Sequence, residues 1–411
     1  MSTEVRPVRT ENEFDRWSDA LDIGFHVPQN RGDGRRRRPR HPDLDRVWAA
    51  FDGERVVGTF VSLPMELTLP GLRRIPLDGV SAVSVAATHR RQGVLSRMMA
   101  GEMAAARERG ECVAALIAAE YPIYGRYGFG PATESAQWRA DARDLRFRRE
   151  LPGRIELVDA DTALAEAPVL YDRIRAEQPG AVSRDYWRWA QDTGHDLREG
   201  ATAPQDVLHA LCRDAAGEIV GYARYRFAER WVNQRPNNTI HALNLMATDA
   251  LYEARLWKYL ADHDWVTEVV GPEIDRFDPL WRDLLADRRM AVAGEVWDFL
   301  WLRPLDPAAF LSARTYAKAD RIVLRVQDKD GYATGTYAVE SAADGSGECV
   351  RVQDLPDLTV PVDVLGSISL GGYSASRYLA LGLAEEHTPG AADRLSTMLS
   401  TPLPPHNPMI F

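Results

Sequence analysis

Cysteine is scarce: Cys112, Cys212 and Cys349 are an odd number, far apart and outside any metal-ligand spacing. They exclude a disulfide framework and a zinc site and read as reduced thiols of an intracellular protein. The nine histidines show neither His-Glu-x-x-His nor another ligand spacing, so no metal is expected. Long apolar runs are missing, and Met1 to Asn12 is polar with no apolar signal core. The expectation is a cytoplasmic protein without a membrane partner. Positive charge is also short, with 50 Lys and Arg against 60 Asp and Glu and a net charge of −10. That balance argues against nucleic acid as a partner and weakly favours cationic ligands such as amines.

What is present is an ordinary globular composition, 45% hydrophobic and 27% charged, over 411 residues. Such a length predicts two or three domains. Phe14, Trp17 and Leu21 share a helix face. Val47–Phe51 and Val56–Val61 flank Asp52-Gly53 as a hairpin, and Met65–Leu69 reads as a third strand ending at Pro70-Gly71. Val80–Val85 follows as a fourth strand. Leu95, Met98, Met99 and Met103 then mark a helix that stops at Gly110, and Val113–Ile117 is a buried strand. This order, one βαβ unit grafted onto a meander, is α+β.

A similar order recurs from about Asp159: helical patterns, strands around Gly217, a strand over Thr239–Met246 and a helix over Tyr252–Leu260. That recurrence suggests an internal duplication. From about Leu305 the character changes. Arg321–Gln327 and Tyr332–Val339 form another hairpin, helices follow over Ala375–Glu385 and Gly390–Leu399, and a Pro-rich tail runs to Phe411. The one basic run, Arg31–Arg40, reads first as a solvated loop and second as a contact for phosphates or an acidic partner.

Chemistry concentrates in Val83-Ser84-Val85-Ala86-Ala87-Thr88-His89-Arg90-Arg91-Gln92-Gly93-Val94-Leu95-Ser96. The segment leaves a strand, turns through small and cationic residues and opens a helix. The free N–H groups of a first helical turn, with the positive end of the helix dipole, attract an anion. Gly93 allows close approach to phosphate and the arginines add charge. The spacing is that of neither a P-loop nor a dinucleotide fold. It matches the Arg/Gln-x-x-Gly-x-Gly/Ala signature of GNAT acetyltransferases, with Leu95 where Gly or Ala is usual. After the next strand, Ile123-Tyr124-Gly125-Arg126-Tyr127-Gly128-Phe129 resembles the Phe-Tyr-x-x-x-Gly-Phe turn of that superfamily. A phenol there can protonate a departing thiolate. Tyr121 and Tyr127 read as packing aromatics, whereas Tyr124 reads as functional.

These motifs, together with Leu285-Ala286-Asp287-Arg288-Arg289, Asp298-Phe299-Leu300-Trp301-Leu302-Arg303 and the closing Ile410-Phe411, resemble the Eis (enhanced intracellular survival) family along the whole chain. The resemblance implies a catalytic GNAT domain over 1–150, a central GNAT-like domain over 151–304 and a sterol-carrier-protein-like α/β domain over 305–411. It also implies a homohexamer that uses acetyl-CoA to acetylate amines, notably aminoglycosides.

Carried onto this chain, the resemblance pairs Val83, Ser84 and Val85 with the pantetheine arm. It puts the pyrophosphate on Arg91, Gln92, Gly93, Val94, Leu95 and Ser96, and lines the cofactor with Ala119 and Glu120. Tyr124 becomes the general acid and the Phe411 α-carboxylate the general base. A free α-carboxylate has a pKa near 3.5 and needs burial to act so, or else it orients the amine; Glu120 is the competing carboxylate. Two other activities stay open, a narrow acyltransferase for one metabolite, peptide or polyamine, and a lipid-carrier or interaction protein.

Where the central unit should carry a cofactor loop, it reads Met246-Ala247-Thr248-Asp249-Ala250-Leu251-Tyr252-Glu253. No glycine opens the helix and acids replace the cations, which predicts one active site per chain. Tyr186-Trp187-Arg188-Trp189 reads as packing or as a wall for sugars and cations.

Overall fold

A computed structural model describes residues 3–26, 43–195 and 206–411. The basic run Arg31–Arg40 lies outside the described residues. The first unit opens with β1 (Glu4–Pro7), α1 (Glu11–Gly24), β2 (Val47–Asp52) and β3 (Arg55–Thr68), followed by β4 (Arg74–Val85), α2 (Val94–Glu108) and β5 (Val113–Ile117). Thr10 starts α1 by accepting from the Glu13 amide, and Phe14, Trp17 and Leu21 turn inward as their spacing predicts. Val94, Met98, Met99 and Met103 bury α2 on the sheet.

β3 is one strand of 14 residues, where the sequence suggested two, and Pro64 lies inside it in register with Asp78. β2 stops pairing at Val61. Beyond that point β3 borders β4 and no longer β2, and such an edge is where a strand tolerates proline.

Three larger sheets stand out among the described residues. The first runs β1-β2-β3-β4-β5 and then takes Leu300–Pro304 and Gly130–Pro131. The second contains Arg154–Val158, Val207–Arg213, Ile219–Ala228, Asn238–Ala247 and Val266–Val270 in neighbouring positions, flanked by Glu134–Asp141. The third has five strands centred on Asp320–Gln327. The first two sheets exchange strands across position 150. Glu134–Asp141 pairs in the second sheet with Ala291–Asp298, and Leu300–Pro304 pairs in the first with β5.

The third unit docks by close backbone approach. A Cβ on Gly130 would lie 1.9 Å from the Asp363 carbonyl oxygen, and one on Gly366 2.2 Å from that of Leu302. Only glycine admits the helix Val362–Ile368 so near the first sheet. The helix expected over Ala375–Glu385 ends at Ala380. Gly382 turns at φ 69°, and Glu385–Glu386 becomes an edge strand against Leu358 and Thr359. No described helix is long and apolar enough to cross a membrane.

Candidate active site

β4 leaves β5 early. The two strands run parallel and pair only at Asp78 with Ala114 and Gly79 with Ala115. β4 stays paired to β3 as far as Val85, and β5 to Leu300–Pro304 as far as Ile117. Among the described residues Val80 to Val85 therefore lack a strand on one side, and Ser81 to Val85 are half-buried. Strand backbone without a neighbour offers N–H and C=O groups to a ligand bearing amides of its own. A bulge falls here, with Ala82 at φ 51°. Thr59 fastens it, donating to the Ala82 carbonyl at 2.9 Å and lying 2.7 Å from the Ser84 hydroxyl. Neither the bulge nor the part played by Thr59 is legible in residue type, since alanine gives no sign of a positive φ.

The turn after β4 opens α2 as an anion site. Gly93 is the N-cap at φ 71° and no described side chain caps the first turn, which leaves the first-turn amides of Val94, Leu95 and Ser96 without a partner among the described residues. A Cβ on Gly93 would meet nothing within 4 Å, so space remains over the turn. Arg90, Arg91 and Gln92 are exposed beside it, with Arg91 itself at φ 63°. Arg90 Nε donates to the Val85 carbonyl at 3.5 Å. Exposed guanidinium groups near a helix start are chemistry that suits an anion.

Beyond β5, Ala119 and Glu120 are exposed and lead into a single helical turn, Tyr121–Tyr124. Tyr124 is 8% exposed and packs edge-on against Phe129 at 6.5 Å. Burial, then the charge of Glu120 and the neighbouring Tyr127, push its pKa above the ordinary 10.0. The phenol therefore keeps its proton at neutral pH, as a proton donor must. Tyr127 is buried too, and its hydroxyl lies 3.0 Å from that of Ser96 at the start of α2. Tyr121 donates to the Asp298 carbonyl at 2.8 Å.

The tail approaches from the other side. The His406 amide donates to the Pro179 carbonyl at 2.8 Å, and buried Asn407 donates through Nδ2 to the Met409 carbonyl at 2.7 Å. Met409 then sinks into the cluster of Met65, Leu77 and Ala115, and half-buried Phe411 packs on the same cluster with Leu63 and Ile117. Tyr124 belongs to the cluster of Leu116 and α2. Alternate residues of β5 face opposite ways, so Tyr124 and Phe411 meet the sheet from its two faces where β4 and β5 part. No hydrogen bond joins them among the described residues. Of the aromatic run near 186, Trp189 is buried against Tyr171 and Tyr222, while Tyr186 and Trp187 are exposed.

The corresponding helix of the second unit, Ala250–Ala261, begins differently. Asp249 caps it, accepting from the Leu251 and Tyr252 amides at 2.8 and 3.1 Å. A carboxylate fills the place an anion would take.

Comparison with known proteins identifies the family. Residues 4–132 and 180–304 each match an acetyltransferase (GNAT) domain family, and residues 307–408 match a sterol carrier protein domain. A Streptomyces avermitilis protein described as an uncharacterized N-acetyltransferase is 40% identical over 99% of this chain and 98% of its own length. N-acetyltransferase Eis of Mycobacterium tuberculosis is 32% identical over 80% of each chain. The crystal structure of Eis1 from Mycobacterium abscessus superposes over the whole of both chains with a TM-score of 0.84 at 28% identity. A GCN5-related N-acetyltransferase from Anabaena variabilis shares the fold, with a TM-score of 0.83 at 16% identity. The GNAT fold implies an acyl-CoA co-substrate, and the duplicated acetyltransferase domains with a sterol-carrier-like third unit are the architecture expected from the sequence. The chain is an N-acetyltransferase and belongs to the Eis family of the GNAT superfamily.

Proposed function

We propose that the chain transfers acetyl from acetyl-CoA to primary amines of a cationic, aminoglycoside-like small molecule in the cytoplasm, with one active site per chain in a homohexamer. One observation carries the reading. The gap between β4 and β5 runs from the uncapped start of α2 to buried Tyr124, whose hydroxyl has no hydrogen-bond partner among the described residues.

Acetyl-CoA supplies the acetyl group as a thioester, whose transfer to an amine makes an amide and frees a thiol. In this reading Val83, Ser84 and Val85 pair with the pantetheine amides. Arg91 to Ser96 hold the diphosphate, and Ala119 and Glu120 line the far wall. The Phe411 carboxylate takes a proton from the amine nitrogen, and Tyr124 Oη gives one to the departing sulfur. Asp249 supports a single site, because its carboxylate already occupies the amides that a second diphosphate would need. The units so assigned are 1–150 for catalysis, 151–304 without a cofactor loop, and 305–411 delivering the tail.

A narrower acceptor range is the second reading. Ile410, next to the terminal carboxylate, is apolar and 44% exposed, and offers no ionic contact to a polycation.

A thiol-release assay with acetyl-CoA against an aminoglycoside and polyamine panel separates these readings. Release with several aminoglycosides supports the first and release with one amine class supports the second. Failure to bind coenzyme A at all overturns both. Deleting Phe411 should lower kcat by about 100-fold or more at an unchanged melting temperature. Full activity of the truncated enzyme would remove the tail from the mechanism.

A further inference from the structure

The second sheet repeats the gap of the first. Asn238–Ala247 runs parallel to Val266–Val270 and pairs with it only from Asn238 to His241. Past His241 a cavity of about 360 Å³ opens, and the tail residues His406 and Pro408 to Ile410 close it. Its volume is within the range of small-molecule sites. The Asp249 cap excludes a coenzyme phosphate from the nearby helix start, so the cavity serves some other ligand or none.

Its two walls differ in chemistry. On one side Asp275 is 7% exposed and its Oδ2 has no hydrogen-bond partner among the described residues. Glu253 stands beside it. His406 is 6% exposed with an unpartnered Nδ1, and burial and Arg276 hold its pKa well below 6.5, so it is neutral. The counter-charge on this wall is Arg276, which also donates to Gln178. Burial, then the charge of Asp275, pushes Glu253 up to about 8, and burial takes Asp275 to about 6 against the pull of Arg276.

On the other side Arg184 and Arg224 share one carboxylate, Asp192, and Arg188 lines the cavity without an ion pair among the described residues. Arg184 and Arg224 each bury an unpartnered Nε. Asn244, whose buried Oδ1 is also without a partner among the described residues, lies on this side as the register partner of Arg224. One wall therefore has acceptors in excess and the other has guanidinium donors in excess. Unsatisfied buried groups of opposite kind at the two ends of one cavity are costly unless something bridges them.

We propose that this cavity is a second ligand site, for a small zwitterion of the amino-acid or dipeptide class. Its ammonium group sits at Asp275, and its carboxylate sits at Arg188 and Arg224. The site lies in the gap of the second sheet and holds whether or not the acetyl transfer assigned above is correct. Because the tail forms one wall, an occupant also contacts the segment that ends at Phe411.

Glycylglycine, putrescine and glutarate, titrated calorimetrically into the full-length protein without acyl-CoA, test the assignment. The dipeptide should bind once per chain, and the diamine and diacid at least tenfold more weakly. Asp275→Asn and Arg188→Gln should each weaken the dipeptide at least tenfold, and Tyr124→Phe should leave it unchanged. Hydrogen exchange at the 406–411 amides should slow on binding, which a contact elsewhere would not produce. Equal or tighter binding of putrescine, no dipeptide binding at millimolar concentration, or indifference to both substitutions in folded variants overturns the site. Arg188 is half-buried and has no ion pair among the described residues, so its replacement keeps the test available if Asp275→Asn fails to fold.

Discussion

Tyr124 shows how much a single side chain draws from its surroundings. The hydroxyl sits in an apolar cluster with no hydrogen-bond partner among the described residues; burial raises its pKa and Glu120 raises it further. The direction matters for the pH dependence. A phenol with a raised pKa stays protonated below that value and loses its proton only as pH climbs through it, so the donor is intact across the neutral range. Tyr124→Phe should lower kcat by about 100-fold while moving the KM for acyl-CoA far less. A descending alkaline limb belonging to Tyr124 should lie above pH 10 in the wild type and vanish in the variant. A kcat–pH profile for both enzymes checks the pair of statements, and an unchanged kcat in Tyr124→Phe would assign the proton elsewhere. The mutation removes one oxygen from a buried ring, so packing against Phe129 is kept.

At the scale of elements, two equivalent helix starts have opposite chemistry. α2 begins at a glycine with positive φ and no capping side chain, whereas Ala250–Ala261 begins under a carboxylate that satisfies two of its amides. Gly93→Ala isolates the first case. Its methyl would meet no atom within 4 Å, so the fold tolerates it, but φ 71° costs a side chain about 1 kcal/mol. That methyl also enters the space over the turn. The KM for acyl-CoA should rise about tenfold with a small fall in melting temperature, and an unchanged KM would place the diphosphate away from this turn. This contrast was legible in the sequence, because glycine with arginines and aspartate without them are local signals. So were the hairpin around Gly53, the stripe of α2 and the turn around Tyr124. What was not legible depends on partners distant in the chain. The continuous β3 needs the edge that β2 leaves open, the Ala82 bulge needs Thr59, and the helix ending at Ala380 gives way to an edge strand on Leu358.

The whole molecule is tied together by strands that cross between its units. Leu300–Pro304 sits between β5 and Gly130–Pro131, and its Arg303 is fully buried against Asp328 of the third unit at 3.4 Å. Gly128 and Gly130, in and just after the turn that positions Tyr124, lie against Val362 and Asp363 so closely that a Cβ would fall 2.7 and 1.9 Å from them. A fragment ending at 150 would keep the helix-start and Tyr124 motifs and lose both Phe411 and the strand that covers β5. Leu116, Ile117 and the Tyr124 turn would then border water on the side where Leu300, Trp301 and Leu302 pack. Removing a central strand exposes apolar surface on its neighbours and leaves a ladder of unpaired amides, which a small unit cannot offset. Residues 1–150 expressed alone should therefore fail to give a cooperative melting transition and should not bind coenzyme A. A fragment of 1–304 should regain the strand and some binding, yet melt well below the full chain because the face around Gly128 and Gly130 stays uncovered. Calorimetry and coenzyme A titration on the three lengths measure both effects. Cooperative melting and full affinity of 1–150 would mean that the exchanged strand is dispensable and that the motifs of the first unit are sufficient for the site.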